Sequence, residues 1–168
     1  DEWKQVLPLL NRSCVVQVTL HPRIGKQQYK GEVNRAAFQA FYAACELPLV
    51  YNGDLRTLEA VQKLMEAYPR LKGVMLGRGL LADPSLARSI REGKAPDKAT
   101  LYRQVAEMHR LMYEHYSRTI EGGEAQLLAK LKTMWEYLLP DMEKKPRKAI
   151  LKSNRLDAYL RAVAEALR

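Results

Sequence analysis

Over the first 96 residues the spacing of apolar positions alternates between two periods. Cys14-Val15-Val16-Gln17-Val18-Thr19-Leu20 is β-branched and mostly apolar, as in a strand covered on both faces. A polar loop through Gly31 follows, and then Val33, Ala37, Phe41 and Ala44 recur at helical spacing over 33–44. Leu47 to Tyr51 reads as a second strand ending in Asn52-Gly53-Asp54. Leu58, Val61, Leu64 and Tyr68 seam a helix over 57–68, and Gly73 to Leu76 is a third strand ending in Gly77-Arg78-Gly79. Asp83-Pro84 predicts a helix start and Gly93 its stop. Strand, loop and helix repeated three times predict parallel strands with right-handed crossovers.

Three parallel strands leave faces and edges uncovered, so residues 1–96 read as the final third of a larger barrel. A helix over 2–10 with no strand before it fits the same picture, and the missing strands are expected N-terminal to Asp1. From Asp97 the strand signals stop. Leu101, Val105, Met108 and Met112 stripe a long helix ending near Ile120. Leu127, Leu131, Met134 and Leu138 mark a second helix, stopped by Pro140. The basic run Glu143 to Lys148 is expected to precede a short helix, and Asn154 to cap a last one seamed by Leu156, Leu160, Val163 and Leu167. The fold class is therefore α/β followed by all-α, divided as 1–96 and 97–168, with the second part a four-helix antiparallel bundle.

Composition narrows the partners. The chain has 168 residues, 47% hydrophobic and 28% charged, enough to bury a core and too apolar for disorder. No apolar run reaches the roughly 20 residues of a membrane helix. The opening Asp1-Glu2-Trp3-Lys4 has no signal-peptide character, and without an initial Met the chain is expected to be processed or cut from something longer. The net charge of +9 suits a polyanion, and it is spread: 14 basic against 9 acidic residues over 1–96, and 14 against 10 over 97–168. Cys14 and Cys45, both in apolar surroundings, read as buried thiols in a reducing cytoplasm.

Loops following parallel strands share one face, where barrels place their sites. His21-Pro22-Arg23 follows the first strand, Asn52-Gly53-Asp54 the second and Gly77-Arg78-Gly79 the third. Glycine lets backbone N–H groups approach a phosphate, and Arg78 adds a charge-assisted contact. Either loop alone could be a simple turn; on successive strand ends the pair favours phosphate binding. His21 is open to two readings, a cofactor contact or a cap on the barrel rim. His109 and His115 are six apart, which separates them around a helix and argues against a metal site there.

The stretch from Val18 to Gly31, containing His21-Pro22-Arg23, resembles the end of the sixth barrel strand of tRNA-dihydrouridine synthases. Pro48 to Asp54 is similar to that family's seventh strand and Gly73 to Pro84 to its eighth; Tyr113 to Ser117 and Met134 to Leu138 resemble its helical C-terminal domain. The resemblance covers nearly the whole chain. It implies the C-terminal portion of a TIM (β/α)8 barrel binding FMN, with NADPH as reductant, tRNA as substrate and a cysteine as proton donor to uridine C5. By carry-over His21 contacts the flavin, and Asn52, Gly53, Asp54, Gly77 and Arg78 hold its phosphate end. Arg23, Lys26, Gln27, Gln28 and Tyr29 face the RNA, Tyr29 either stacking on a base or packing. From Arg23 to Arg35 there are Arg23, Lys26, Lys30 and Arg35 against Glu32, a local excess suited to phosphates.

Lys144, Lys145, Arg147 and Lys148 are expected to grip tRNA, with a solvated charged face as the alternative. Trp135 reads as core before base-stacking platform. Ile24 stands where relatives are expected to carry Thr, and neither Cys14 nor Cys45 occupies the family's catalytic position. No catalytic residue is therefore expected within this chain, and alone it is expected to be inactive. Two alternatives stay open: another FMN barrel, such as a dihydroorotate dehydrogenase relative, and a non-catalytic RNA-binding module.

Overall fold

The computed structural model describes residues 2–168, which form two compact units dividing after Gly77. The first contains α1 (Trp3–Asn11), β1 (Val18–Leu20), α2 (Arg35–Ala44), β2 (Leu49–Asn52), α3 (Leu58–Ala67) and β3 (Leu71–Met75). The strands form a parallel sheet in the order β1-β2-β3, with Leu20 opposite Tyr51 and Asn52 opposite Met75. Helices α2 and α3 are the crossovers that parallel pairing requires. Their starts are capped as short polar side chains should cap them: Asn34 accepts from Ala37 N at 2.9 Å and Thr57 from Ala60 N at 3.1 Å.

Leu7, Phe38, Phe41, Leu49, Tyr51 and Leu71 form the centre of this unit's core. Phe38 meets Tyr51 and Tyr68 edge-on, with ring centroids 4.7 and 4.9 Å apart, the geometry that ring quadrupoles favour. The inward face of α2 carries Phe38 and Phe41, and Ala44, expected in the seam, is exposed. The expected strand over 14–20 is shortened to its last three residues. Cys14 is exposed instead of buried, and Val16 is 85% exposed, because no chain among the described residues pairs with that edge.

The second unit contains α4 (Arg78–Ala82), α5 (Leu86–Glu92), α6 (Lys98–Thr119), α7 (Gly123–Thr133), α8 (Lys144–Lys152) and α9 (Leu156–Ala166). Residues 78–96, expected with the α/β part, belong here. Ala82 and Leu86 are buried, and Leu139 N donates to the Ala82 carbonyl at 2.9 Å. Gly93 ends α5 with φ 69°, a left-handed cap suited to glycine.

The core of this unit gathers Val105, Leu131, Trp135, Ile150, Tyr159 and Val163. Trp135 is fully buried and donates to the Tyr159 hydroxyl at 2.9 Å, while His109 Nε2 lies 2.9 Å from the same oxygen. Burial lowers the His109 pKa to about 4, keeping the ring neutral.

Two expectations change. The basic run does not precede α8 but forms its first turns, since Pro146 sits where a helix has no use for the missing N–H. Asn154 does not cap α9; Leu156 N is instead satisfied by Glu124 Oε1, from α7, at 2.8 Å.

Candidate functional site

The strand register builds the site. Leu20 lies opposite Tyr51, so the residues just beyond, His21 and Asn52, emerge level with each other. His21 Nδ1 is 2.6 Å from Asn52 Oδ1. An amide oxygen only accepts, so Nδ1 carries the proton and Nε2 is the remaining ring nitrogen. Two residues further along each loop the same offset of 31 recurs. Arg23 Nη1 donates to Asp54 Oδ1 at 3.2 Å, and Nη2 donates to Asp54 Oδ2. Nη2 also donates to the Gly31 carbonyl at 2.6 Å. The Arg23 side chain is 2% exposed, and hydrogen bonding to Asp54 raises its pKa further, so it stays charged.

Around these pairs lies an open hollow of ≈ 870 Å³, lined by Thr19, His21, Arg23, Ile24, Gly25, Gln28, Tyr29, Asn52 and Met75. Ile24 and Tyr29 are 72% and 68% exposed. Lys26 is exposed on the 3-10 turn Gly25–Gln27, and Gln27 Nε2 donates to the Glu32 carbonyl at 2.8 Å.

The structure thus brings His21, Arg23, Gln28, Tyr29 and Asn52 to one place and joins Asp54 to them through Arg23. Gly53 is buried: a Cβ there would lie 2.7 Å from the Tyr51 hydroxyl and 3.0 Å from Val33 Cγ1. Its lack of a side chain is a packing requirement. Gly77 differs, since a Cβ there would meet no heavy atom within 4 Å among the described residues. Neither Gly77 nor Arg78 lines the hollow; Arg78 opens α4 in the second unit.

In the helical unit, Lys144, Lys145, Lys148 and Lys152 are exposed. At about 100° per residue they fall within an arc of about 100° on α8. Ile150, fully buried, lies on the opposite side. Arg147 points elsewhere: it donates to the carbonyls of Trp135 at 2.6 Å, Leu138 at 2.9 Å and Leu139, closing the turn after α7. Sequence reasoning missed the Arg23–Asp54 pair and the His109–Tyr159–Trp135 cluster. The repeated offset of 31 was a usable signal for the first.

Parallel strands that deliver polar side chains from successive loops to a common hollow define an α/β protein with a candidate site at its strand ends. The chain belongs to the dihydrouridine synthase (Dus) family, whose model matches residues 5–158. It is 27% identical over 108 residues to a probable tRNA-dihydrouridine synthase of Rhizobium leguminosarum bv. phaseoli, covering 64% of this chain and 34% of that protein. It is 26% identical over 92 residues to the tRNA-dihydrouridine(20a/20b) synthase [NAD(P)+] of Schizosaccharomyces pombe, covering 55% and 28%. With tRNA-dihydrouridine synthase B of Pasteurella multocida it shares 25% identity over 103 residues, covering 61% and 31%. The match spans about a third of each relative's length.

Proposed function

We propose that this chain supplies the closing part of an FMN-binding TIM barrel and a helical tRNA-holding domain of a tRNA-dihydrouridine synthase. The whole enzyme would reduce uridine to 5,6-dihydrouridine in tRNA, with NADPH as reductant. The observation that carries the reading is the level pairing of His21 with Asn52 and Arg23 with Asp54 beside one hollow, in a chain of this family.

The residues present fit FMN. Asn52 keeps its amide N–H donors for an acceptor, and His21 keeps one ring nitrogen, which suits the carbonyls and hydroxyls of a flavin. Asp54 alone would repel a phosphate, but Arg23 neutralises it. Gly77 has room for close backbone approach, and Arg78 is proposed to meet the phosphate with Gly53 shaping the turn beneath. The flavin, when bound, supplies hydride to uridine C6. Within this chain the side chains bind and orient; no catalytic residue is assigned. Cys45 is buried with Sγ 3.7 Å from the Leu47 carbonyl, and Cys14 precedes β1, away from the strand ends.

For RNA we propose Lys26, Gln28 and Tyr29 at the hollow and Lys144, Lys145 and Lys148 on α8, where cations can meet the phosphate backbone. Arg23, Gln27 and Arg147 serve the same surfaces by ordering them, since their side chains are bonded to neighbouring backbone or to Asp54. Two cysteines without a disulfide suit the cytoplasm, where tRNA is modified. No helix among the described residues is long and apolar enough to cross a membrane.

The test uses the full-length protein. A flavin absorption spectrum and tRNA-stimulated NADPH oxidation, with dihydrouridine appearing in unmodified tRNA, are the expected results. A full-length protein that binds RNA but holds no flavin would overturn the reductase reading and leave a binding module.

A further inference from the structure

The two loops at the hollow are fastened to each other through a buried guanidinium. Arg23 is held by both carboxylate oxygens of Asp54 and by the Gly31 carbonyl, and its Nε is buried with no acceptor among the described residues. A guanidinium so enclosed cannot reach a phosphate without giving up its bonds to Asp54 and to the Gly31 carbonyl.

Besides Arg23, Gln27 Nε2 ties the fastened segment to the Glu32 carbonyl at 2.8 Å. Ile24 is largely exposed. The segment's backbone bonds are short-range: Gln27 N to Ile24 O at 2.9 Å, Gln28 N to Gly25 O at 3.2 Å and Lys30 N to Gln27 O at 3.0 Å. Asn34 N to Pro22 O, 2.8 Å, closes its base. Gln28 and Gly31 take positive φ values of 49° and 67°, and Asp54 one of 38°. Such backbone persists when surrounding bonds over-determine it.

We propose that Arg23 and Asp54 act as a latch: a pair of positioning residues through which the loop after β2 sets the place of segment 24–31. Naming that segment as the RNA side and the Asn52 loop as the cofactor side rests on the function proposed above; the latch itself rests on the geometry. Its consequence is equivalence. Removing either partner frees the same segment, and removing both frees it no further. An Arg23 that touched RNA directly would behave otherwise. Its loss would weaken binding and flatten the salt dependence, while loss of Asp54 would do neither.

Two measurements decide. In this chain, amide hydrogen exchange is followed at Gln27, Gln28 and Lys30 for wild type, Arg23→Ala, Asp54→Asn and the double variant Arg23→Ala/Asp54→Asn. Exchange is expected to quicken about tenfold or more at those amides in each variant, equally in single and double, with the β2 and β3 amides unchanged. If Arg23→Ala loses strand protection as well, Asp54→Asn decides, because it keeps the size of the side chain but replaces one of the two oxygens that accept from Arg23 with a donor. Unchanged exchange in Asp54→Asn, or effects that add in the double variant, would overturn the latch.

In the full-length enzyme, KM for unmodified tRNA is expected to rise about tenfold in both single variants. A rise confined to Arg23→Ala would overturn the latch in favour of direct contact. Unaltered KM in both would deny the latch any part in substrate placement. A full-length protein that never reduces tRNA would defeat the functional proposal, and the exchange result would then judge the latch alone.

Discussion

The two units bury their polar groups in opposite ways. The helical unit closes a core around Trp135, Tyr159 and His109, and that cluster's polar atoms point inward and satisfy one another. The α/β unit directs its polar pairs to the strand ends, beside an open hollow, and leaves Val16, ahead of β1, and Met75, at the end of β3, largely exposed. One unit therefore derives its stability from a sealed interior. The other keeps interior-type residues facing outward and organises them through inter-loop hydrogen bonds. The buried cluster and the strand-end pairs therefore answer to different substitutions.

The sharpest break is Trp135→Ala. It removes a fully buried indole and one hydrogen bond to Tyr159, at an expected cost of about 3–5 kcal/mol. Urea denaturation followed by helical circular dichroism should show an early transition for the helices. A loss under about 1 kcal/mol would mean that the core around Tyr159 collapses onto the gap.

Acid should act on the same unit next. The unfolded His109 titrates near 6.5 and the folded one near 4. Between those values the unfolded chain holds the extra proton, so stability falls as pH falls through that window. The contribution is complete above about pH 7 and totals about 3 kcal/mol, of which about 2 is lost by pH 5. Glu59, Glu107, Asp97 and Asp157 are held below the ordinary carboxylate range, chiefly by hydrogen bonds. What they add is lost only below about pH 4.5, so the window from 7 to 5 isolates the histidine. Urea midpoints across it should slope in wild type and flatten in His109→Gln; a slope that survives would exonerate His109.

A smaller break lies in the other unit. Gly53→Ala places a methyl 2.7 Å from the hydroxyl of the buried Tyr51, which cannot retreat freely. Overpacking of this kind costs about 1–3 kcal/mol. Because Asn52 is adjacent, the variant should also weaken flavin retention in the full-length protein. Thermal melts together with flavin fluorescence would show whether the two losses come together.

How much of this was legible beforehand follows from which interactions are local. Periodicity located β2, β3 and α1 to α3, because side-chain facing repeats with backbone period whatever the partner. Gly93 was readable for the same reason: its left-handed φ is a property of one residue. Cys14 was misjudged because a strand-like composition cannot reveal whether a neighbouring strand is there to pair with it. His109 was weighed only against His115, although it follows Val105 by four and shares its buried face. Arg23 and Asp54 were given separate roles because strand register decides their meeting. Register is a property of two strands, though the 31-residue spacing of both loop pairs records it.

The smallest expected effect on stability tests the division most finely. Lys144, Lys148 and Lys152 follow one another at every fourth position on the outer face of α8, and like charges at that spacing repel. Replacing all three with Ala, a better helix former, should leave stability within about 0.5 kcal/mol of wild type. If that face meets the RNA backbone, the same variant should lose counterion release at each site. The slope of log affinity for tRNA against log salt would then become shallower by about 2–3. Arg147→Ala should do the reverse, costing about 1–3 kcal/mol by freeing the carbonyls after α7 while leaving the slope nearly intact. Filter binding over a salt series, with melts on the same samples, reads both quantities. A triple-lysine variant with an unaltered slope would remove α8 from the RNA surface, and would make its charges a solvated helix face beside an otherwise structural unit.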